Sequence, residues 1–596
     1  MFFTKFNPLT DEEVLQKVNA QRKPAGGGKG YLAGKSFKAR LDGEFAPQQL
    51  DYTFKDEETL SFTENGQEYT DVPYAALEME HITLFSHLVP GTTRGWHGII
   101  DWKTKAVTFF ETWFGIRVAV GGSLFGDKEP DYYREVPREI QRQYYFGWAD
   151  FGENEKPAFH TTTNRIEGRG LHWKFSTGRE MLTFFPSVVC CTLVELGDEM
   201  GGITMANPAD YLKIDDEKYI FSRGEVEFSG KFWIEVLNFF EDKALGLEFG
   251  FEEDDSFTYA LHTADIKITG DAAHLESIYT FGDKEPPMAR LAGRKGGRYA
   301  YRPMDIDQPM SHEEALMHAN EAHRIFEVDG PNIMASKNTL PFSKFLIGKQ
   351  FKVKLDMEKH AIAPWTGDQS TVYEYDVFSE RFLKYRENDG EWKEAKYICF
   401  EPAKDIYFFS HMVTDDPDWA NLTHACDFSN GLTTTVRAQI GNWHSEWEIG
   451  SKVNFGTLEY GNIKPPFARR HHFTTDLVGK CFSWAYSDKM SSIHVYSSPE
   501  SSSWTIFQGD NSGGATWSSP CYYIKLRDDA YIFEWVEENC NGMQGLVVIN
   551  PKTLHDGGFF FGVGHNGLSL NITGAFGREL GSFDIMKYFD KKGDNI

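Results

Sequence analysis

One stretch of this sequence occurs twice. Residues 208–221 read PADYLKIDDEKYIF, and residues 520–533 read PCYYIKLRDDAYIF. Most of the aromatic and aliphatic positions coincide at an offset of 312, so that Tyr211 matches Tyr523 and Phe221 matches Phe533. Self-similarity at a fixed offset is the sequence signature of repeated structural units. The chain is therefore predicted to contain two copies of one unit.

Further matches extend the repeat in both directions. They keep one order along the chain, and the offset stays between 311 and 314 except at one pair, where it is 324. A longer loop in the second copy, followed further along the chain by a segment that is shorter by a similar length, explains that exception. The matching ranges are 32–42 with 346–356, 82–87 with 406–411, 160–173 with 471–484, and 247–250 with 559–562.

A weaker repeat lies within each unit, because residues 346–351 resemble residues 477–482. The chain thus divides into four related modules. The segment before residue 343 breaks the pattern, and one stretch within it, His312 to Phe326, is predicted to be helical. The predicted divisions are an N-terminal extension at 1–29, modules at 30–150 and 151–280, a linker with a helix at 281–342, and modules at 343–468 and 469–596.

Short runs of Val, Ile, Phe, Tyr and Trp alternate with turn dipeptides throughout the modules. Asn65-Gly66, Asp389-Gly390 and Asn430-Gly431 are dipeptides that suit two-residue hairpin turns. Antiparallel hairpins at such spacing close into sandwiches or barrels. The predicted fold class is therefore all-β, with antiparallel barrels arranged as two repeated units of two modules each. A barrel of this size either fills with side chains or holds one small ligand.

The charge of the chain limits its partners. A formal charge of −27 opposes binding to nucleic acid and to an anionic membrane surface. No apolar stretch reaches the roughly 18 residues that a membrane span needs, and no secretory signal is recognisable. The seven cysteines include no C-x-x-C motif, which argues against a disulfide framework. A cytoplasmic location is predicted, and the oligomeric state is left open.

No cofactor is predicted. Gly34-Lys35-Ser36 ends like a phosphate-binding loop, but the position of the opening glycine, residue 29, is lysine. The histidines show neither H-E-x-x-H nor another close metal-binding spacing. The sequence therefore predicts neither a nucleotide nor a metal.

The last module contains the strongest group of chemically useful residues. Strand residues at positions i and i+2 share a face, so three pairs of side chains point together. Aromatic rings around one carboxyl suit a planar or apolar ligand, with the carboxyl as general acid or base and its pKa raised by burial. The alternative is an aromatic core with the glutamate at its solvent end. The pairs are Trp484 with Tyr486, His494 with Tyr496, and Trp535 with Glu537.

The same region resembles the molybdenum cofactor biosynthesis protein F (MoaF) family. The resemblance rests on RHHFTTDLVGK at 470–480, on WAYS at 484–487, and on the stretch from Tyr531 to Glu537. It covers the family's C-terminal domain over about 470–580, and the third module resembles the N-terminal domain. The resemblance implies calycin-type barrels, the class of the lipocalins, with a fold similar to that of phenolic acid decarboxylases. No residues resemble a molybdopterin site.

The resemblance to the decarboxylases also implies residue roles. Their acid is a glutamate at the end of an aromatic strand, which corresponds to Glu537. Their pair of tyrosines that hold the substrate carboxylate corresponds to Trp484 and Tyr486, so one tyrosine is lost. Their arginine corresponds to Thr516, the residue before Trp517. The missing arginine argues against decarboxylation of a phenolic acid.

Three functions are consistent with these residues. The first is a cofactor-independent lyase, decarboxylase or isomerase for a small aromatic or unsaturated molecule, and the second is a lipocalin-like carrier without catalysis. The third is a structural role with filled barrels. A buried glutamate beside a cavity would favour the enzyme, a purely apolar cavity would favour the carrier, and the absence of a cavity would favour the structural role. In the enzyme Glu537, His494 and Tyr486 are the predicted catalytic residues, and Trp484, Tyr496, Trp535, Trp517 and Tyr523 contact the substrate.

The two copies differ at these positions. The first copy keeps Trp173 and Glu225 where the second has Trp484 and Glu537. It has lost two phenol hydroxyls and an imidazole, which a proton-transfer site needs to orient its substrate. The C-terminal copy is therefore predicted to carry any activity. The other replacements are Phe175 for Tyr486, Thr183 for His494, Phe185 for Tyr496 and Arg223 for Trp535.

Overall fold

The computed structural model is almost entirely β-sheet, which confirms the predicted all-β class and the tandem barrels. Its described residues form 36 strands, and two α-helices of ten residues each are found among them. All the strand pairings within the barrels are antiparallel. The described residues are 9–28, 32–43, 45–120, 132–152, 158–197, 202–225, 230–252, 254–273, 312–326, 337–356, 371–441, 449–508, 515–537, 543–564 and 567–589.

The first barrel has eight strands in sequence order and closes where β1 pairs with β8. Its inward residues are largely aromatic, because alternate positions of each strand point inward. The strands are β1 (Ser36–Asp42), β2 (Leu50–Phe54), β3 (Thr59–Glu64), β4 (Gln67–Met79), β5 (Ile82–Leu88), β6 (Gly95–Asp101), β7 (Ala106–Val120) and β8 (Tyr132–Asp150).

The second barrel follows the same plan and closes where β10 pairs with β17. A short strand, β9 (Thr161–Thr162), adds to the edge of β13. The strands of this barrel are β10 (Arg169–Phe175), β11 (Glu180–Phe184), β12 (Cys190–Glu195), β13 (Thr204–Lys213), β14 (Lys218–Glu225), β15 (Lys231–Asn238), β16 (Lys243–Phe251) and β17 (Phe257–Ala272).

The third barrel repeats the first and closes where β19 pairs with β26. Between the second and third barrels lies the short strand β18 (His323–Ile325). The strands of the third barrel are β19 (Gln350–Leu355), β20 (Val372–Val377), β21 (Phe382–Glu387), β22 (Lys393–Ala403), β23 (Ile406–Met412), β24 (Asn421–Asp427), β25 (Leu432–Ile440) and β26 (Ile449–Glu459).

The fourth barrel repeats the second, except that its closing strand is divided in two. The first part, β35, pairs with β34, and the second part, β36, pairs with β28. The break falls at Gly574, where a Cβ atom would lie 2.8 Å from the backbone of Thr339. The strands are β27 (His472–Phe473), β28 (Lys480–Ala485), β29 (Ser491–Val495), β30 (Ser501–Gln508), β31 (Ala515–Arg527), β32 (Ala530–Glu537), β33 (Met543–Asn550), β34 (His555–Gly564), β35 (Gly567–Thr573) and β36 (Phe576–Phe583).

The helices cover outer faces of the barrels. Helix α1 (Asp11–Ala20) begins with a capping box, in which Thr10 and Glu13 each bond the other's backbone N–H, and it buries Val14 and Val18 against the first unit. Helix α2 (His312–Glu321) buries two alanines against the second unit. The predicted helix to residue 326 was wrong at its end, because β18 pairs there with β35. Much of the predicted linker, residues 281–311 and 327–336, lies outside the described residues.

Within each unit the two barrels pack side by side through apolar outer faces. In the first unit, residues of β5 and β6 share a buried cluster with residues of β14 and β15. In the second unit, residues of β23 and β24 form the equivalent cluster with residues of β32 and β33. Both faces of these strands are therefore apolar, because one face fills the interior of a barrel and the other packs against the neighbouring barrel.

The two units meet through a pseudo-twofold axis between the second and fourth barrels. Strands β17 and β36 pair antiparallel, and the central pair is Asp271 with Ser582. These two residues occupy the same position in the repeat, so the pairing is isologous, as in a symmetric dimer. Gly270 and Gly581 flank them, and a Cβ atom on either would lie 2.1 or 2.2 Å from a carbonyl oxygen of the opposite strand.

Hydroxyl groups line the rest of this contact between the units. Thr204 Oγ1 lies 2.7 Å from Ser497 Oγ, and the Thr204 N–H donates to Ser501 Oγ at 3.1 Å. Ser503 donates to Thr192 at 3.5 Å. These two residues, like Asp271 and Ser582, occupy the same position in the two copies of the repeat. The serine-rich run that ends at Ser503 therefore belongs to the surface between the two copies.

Candidate functional site

All eight predicted site residues lie buried in the fourth barrel. Directly opposed residues of an antiparallel pair point to the same face, and a chain of such pairs runs around the barrel. Phe482 opposes His494, His494 opposes Trp504, and Trp504 opposes Trp517. The eight residues, each at most 7 % exposed, are Glu537, His494, Tyr486, Trp484, Tyr496, Trp535, Trp517 and Tyr523.

Phe533 lies at the centre of this interior, and the sequence reading did not single it out. Its ring stacks on Trp535 at 4.8 Å and on Tyr523 at 5.6 Å between centroids. The rings of Tyr496 and His494 lie at 5.1 and 6.0 Å, near edge-on. Such stacked and edge-to-face arrangements are favourable for aromatic rings. A wall of flat rings therefore follows β29, β31 and β32.

A second stack stands beside this wall. Trp504 and Trp517, from β30 and β31, lie 4.5 Å apart with their planes 20° from parallel. The indole N–H of Trp504 is buried and has no hydrogen-bond partner among the described residues. Trp517 was predicted to contact a ligand, and the structure brings Trp504 to the same face.

Glu537 is the last residue of β32 and is buried, with 6 % of its surface exposed. Trp535, two residues earlier on the same face, donates its indole N–H to Glu537 Oε1 at 3.2 Å. Burial raises the pKa of Glu537 to about 7, and this hydrogen bond opposes the rise. The arrangement argues against the alternative in which the glutamate stands at the solvent end of the strand.

A second buried carboxyl, Asp556 of β34, was missed by the sequence reading. Burial raises the pKa of Asp556 to about 8, although the backbone N–H of Ala575 donates to its Oδ1 at 2.6 Å. That bond satisfies an amide next to the break between β35 and β36, so Asp556 has a structural role. The first copy has Ala244 at the equivalent position. The sequence signal that could have identified Asp556 is the replacement of this inward alanine of the first copy by a carboxyl in the second.

Tyr486 stands within electrostatic reach of both carboxyls. Burial raises the pKa of Tyr486, and the negative charges of Asp556 and Glu537 add to the rise. Ser492 donates to the Tyr486 hydroxyl at 3.4 Å. The phenol therefore stays protonated near neutral pH and can donate a hydrogen bond to a ligand.

Besides the Trp504 indole N–H, two polar atoms of the aromatic wall lack a hydrogen-bond partner in the described part of the chain. They are the Nδ1 atom of His494 and the hydroxyl of Tyr496, which lies near the Trp484 indole. Burial lowers the pKa of His494 to about 3, so its imidazole is neutral at physiological pH. Buried polar groups normally have partners, and orphans of this kind suit contact with a bound molecule.

The second barrel has different chemistry at the equivalent place. Phe175, Thr183, Phe185 and Arg223 stand where the fourth barrel has Tyr486, His494, Tyr496 and Trp535, as the repeat predicted. The Glu225 side chain lies outside the described residues. The loss of polar groups is only part of the difference between the copies, because the second barrel also gains a pair of its own.

That pair is Glu235 and His262, which the sequence reading missed. Their Oε1 and Nε2 atoms are 2.8 Å apart, and both side chains are buried. Gly246 makes room for them, because a Cβ atom there would lie 2.2 Å from Glu235 Oε2. The fourth barrel has Val547 and Thr573 at the equivalent positions. Glu235 and His262 lie outside the stretches that match between the two copies, so the repeat did not point to this pair.

The third barrel contains a buried relay of hydrogen bonds. His411 Nδ1 lies 2.7 Å from the Met412 carbonyl oxygen and must donate to it, so His411 Nε2 accepts from the Tyr375 hydroxyl at 3.0 Å. The Tyr375 oxygen then accepts from His424 Nε2 at 2.6 Å, and His424 Nδ1 accepts from Thr435 at 2.8 Å. Burial lowers the pKa of both histidines. Each polar atom of the chain is satisfied, as expected of a structural network.

A cavity of about 310 Å³ opens at the mouth of the first barrel. None of the eight predicted site residues lines it. The residues that line it are Phe45, Ala46, Pro47, Gln48, Glu64, Asn65, Trp96 and Glu111.

Neither a metal site nor a membrane helix is seen in the described ranges. No three His, Cys, Asp or Glu side chains there are grouped as ligands of one ion. The helices of the described chain are too short and too polar to cross a membrane. The six cysteines in these ranges are buried free thiols.

The fold and the site define a class: a tandem array of eight-stranded antiparallel barrels with an aromatic interior. Residues 471–581 match the family model of the MoaF C-terminal domain, which confirms the resemblance to the MoaF family over the fourth barrel. No curated protein matches the chain.

Similarities to solved structures are weak. A Burkholderia vietnamiensis protein described as a candidate beta-lactamase shares 9% identity over 18% of this chain and 99% of its own length, with a TM-score of 0.16. A bifunctional GH43-CE protein from Bacteroides eggerthii shares 8% identity over 74% of this chain and 64% of its own, with a TM-score of 0.08.

Proposed function

We propose that the fourth barrel binds a small aromatic or unsaturated molecule and transfers a proton on it, with Glu537 as the general acid or base. The activity is that of a cofactor-independent lyase, decarboxylase or isomerase. The observation that carries the proposal is the meeting of three features in one closed interior: stacked rings, a buried carboxyl and polar atoms without partners.

The chemistry follows from these groups. A carboxyl whose pKa lies near 7 is present in both protonation states at neutral pH, which is the property that general acid–base catalysis requires. In an isomerisation, Glu537 takes a proton from one carbon and returns a proton to another, so that the enzyme is regenerated and no external electron acceptor is needed. Tyr486 and His494 donate hydrogen bonds that orient the ligand, and the tryptophans stack on it.

The second candidate is a carrier that holds such a molecule without changing it. The aromatic wall and the orphan polar atoms support binding equally well, and only the raised pKa of Glu537 favours catalysis. The calycin relation, the likeness to phenolic acid decarboxylases and a cytoplasmic location remain predictions. The free thiols of the described cysteines support the last of these.

The test is incubation of the protein in D₂O with a panel of hydroxycinnamic acids, hydroxybenzoic acids and α,β-unsaturated ketones, followed by mass spectrometry. The proposal predicts that one class gains deuterium or loses carbon dioxide with the native protein, and that Glu537→Gln abolishes the change. Retention of a compound without any change would support the carrier. Turnover that survives in Glu537→Gln would remove the assigned role of this residue.

A further inference from the structure

The polar groups buried in the fourth barrel are either neutral or acidic. The buried polar and charged side chains of its described residues carry hydroxyls, amides, imidazoles and carboxyls. Two of these carboxyls, Glu537 and Asp556, lie within electrostatic reach of the Tyr486 phenol. The buried charge of the described part of this barrel is therefore negative.

Glu537 measures what a ligand carboxylate would pay to enter this interior. Burial raises the pKa of Glu537 from 4.5 to about 7, so the folded barrel disfavours this carboxylate about 300-fold relative to water. A second carboxylate beside it would lose its hydration in the same way and would also be repelled by the first. The interior therefore favours an uncharged ligand over the carboxylate of the same shape.

The second barrel holds a cation at the position where the fourth barrel has Trp535. This cation is Arg223, which is buried and opposes Trp233 between β14 and β15, with its guanidinium 4.5 Å from the centre of the indole. In the fourth barrel Trp535 opposes Gly545, where a Cβ atom would lie 2.2 Å from the Trp535 ring. Both members of the pair thus differ between the copies. Trp535 provides a neutral wall where a barrel of the same plan accommodates a guanidinium.

Three buried polar atoms of this interior, all without partners in the described chain, define what the ligand must offer. The Trp504 indole N–H donates, the Tyr496 hydroxyl donates or accepts, and His494 Nδ1 does either according to its tautomer. An oxygen atom on the ligand would accept from the indole or the phenol, and a hydroxyl group would satisfy the imidazole in either tautomer. His494 opposes Trp504 directly, and its ring lies 6.3 Å from that of Tyr496. One small molecule can therefore contact all three groups.

Proton transfer on carbon requires that the ligand oxygen belong to a carbonyl group. When Glu537 takes a proton from a carbon atom, the electron pair of the broken C–H bond must move onto a neighbouring group. A ketone or aldehyde takes it up as an enolate, whose oxygen accepts a hydrogen bond from Tyr486. Return of the proton to the same or another carbon restores the carboxylate of Glu537. A carboxylate ligand is a poor acceptor for this electron pair, because it already carries a negative charge.

We propose that the ligand of the fourth barrel is an uncharged, hydroxylated ketone or aldehyde with an aromatic or conjugated system, and not a carboxylate. Trp535 determines this preference, because it stands where the second barrel has its cation. The inference rests on the function proposed above for the same site. It narrows that function to isomerisation or proton exchange at a carbon next to, or conjugated with, the carbonyl group.

The test compares two ligands of nearly the same shape by saturation-transfer NMR titration of the full chain at neutral pH. 4-Hydroxybenzylideneacetone carries an acetyl group where 4-coumarate carries a carboxylate, and the two share the same phenol ring and double bond. The ketone is expected to bind about thirtyfold more tightly, which is less than the factor for Glu537 because a ligand keeps part of its hydration at the barrel mouth. Equal or tighter binding of 4-coumarate, or binding of neither compound, would overturn the proposal.

Substitutions at the two equivalent positions localise this preference. Trp535→Arg gives the fourth barrel the side chain that the second barrel already holds, and it is expected to tighten 4-coumarate about tenfold while weakening the ketone. Arg223→Gln removes the cation of the second barrel and is the matched control, which should leave both affinities within about twofold. Weaker binding of the ketone in Arg223→Gln, with no effect of Trp535→Arg, would place the ligand in the second barrel and overturn the proposal. Thermal unfolding checks the fold of each variant, and the comparison of the two ligands on the native chain needs neither.

Deuterium exchange in D₂O separates this inference from the proposed function. If the ketone binds as expected but the native chain does not accelerate its proton exchange, the ligand class is supported and the barrel is a carrier. If 4-coumarate binds more tightly and is changed in a reaction that Glu537→Gln abolishes, the proposed function stands and the inferred ligand class is wrong.

Discussion

Replacement of Glu537 by glutamine should change how the stability of the protein depends on pH. Glutamine has nearly the same shape and keeps an oxygen that accepts from Trp535, so packing is preserved. The rise in the pKa of Glu537 from 4.5 to about 7 corresponds to about 3 kcal/mol between the two protonation states. Since the side chain is buried, solvent does not screen this effect.

The sign follows from proton linkage. Below pH 4 the carboxyl is protonated in the folded and the unfolded chain, and its contribution to stability is fully present. As the pH rises, the unfolded chain releases this proton first, so the native protein loses stability until the pH passes about 7. The free energy of unfolding of the native protein, relative to Glu537→Gln, should therefore fall by about 3 kcal/mol between pH 4 and pH 8.

The assay is urea unfolding of both proteins, followed by tryptophan fluorescence, at a series of pH values. Replacement of Glu387 by glutamine is the control, because the Glu387 side chain is exposed in the folded chain. If the pH dependence of the difference for Glu537→Gln is no larger than that for the control, the carboxyl is solvated and the described burial is wrong.

Three further substitutions test other parts of the structure. Gly246→Ala should destabilise the protein by about 1–3 kcal/mol, since its Cβ would displace the buried Glu235 carboxyl; thermal unfolding measures this. Gly581→Val should loosen the contact between the units, because its Cβ would meet a carbonyl oxygen of the opposite strand, and faster limited proteolysis between the units should follow. Tyr375→Phe leaves the Nε2 atoms of two buried histidines without a partner and should cost about 2–4 kcal/mol in chemical unfolding, against less for Tyr52→Phe, whose hydroxyl contacts one histidine.

The repeat carried most of what could be predicted about the fold. A second copy of the run around Tyr211 and Phe221 showed which alternate positions stay aromatic, and in the structure those positions fill the barrels. The pseudo-twofold contact could not be predicted in the same way. Its central pair, Asp271 with Ser582, is not conserved between the copies, and strand edges that pair with one another leave no pattern in composition.

The eight predicted residues were found together because same-face spacing within a strand is readable from sequence. Contacts between distant strands are not readable in this way. Glu235 and His262 come from β15 and β17, and Asp556 acquires its partner only because the closing strand of the fourth barrel is divided. The cavity beside Trp96 depends on how the segment after β1 covers the barrel mouth.

The most direct test of the central claim compares Glu537→Gln with Glu225→Gln, the same position in the two copies, for deuterium incorporation or loss of carbon dioxide with the compound that the native protein turns over. We predict that Glu537→Gln abolishes the reaction and that Glu225→Gln leaves the rate within twofold of the native protein. Loss of the reaction in Glu225→Gln, with activity retained in Glu537→Gln, would place the site in the N-terminal copy and contradict the account.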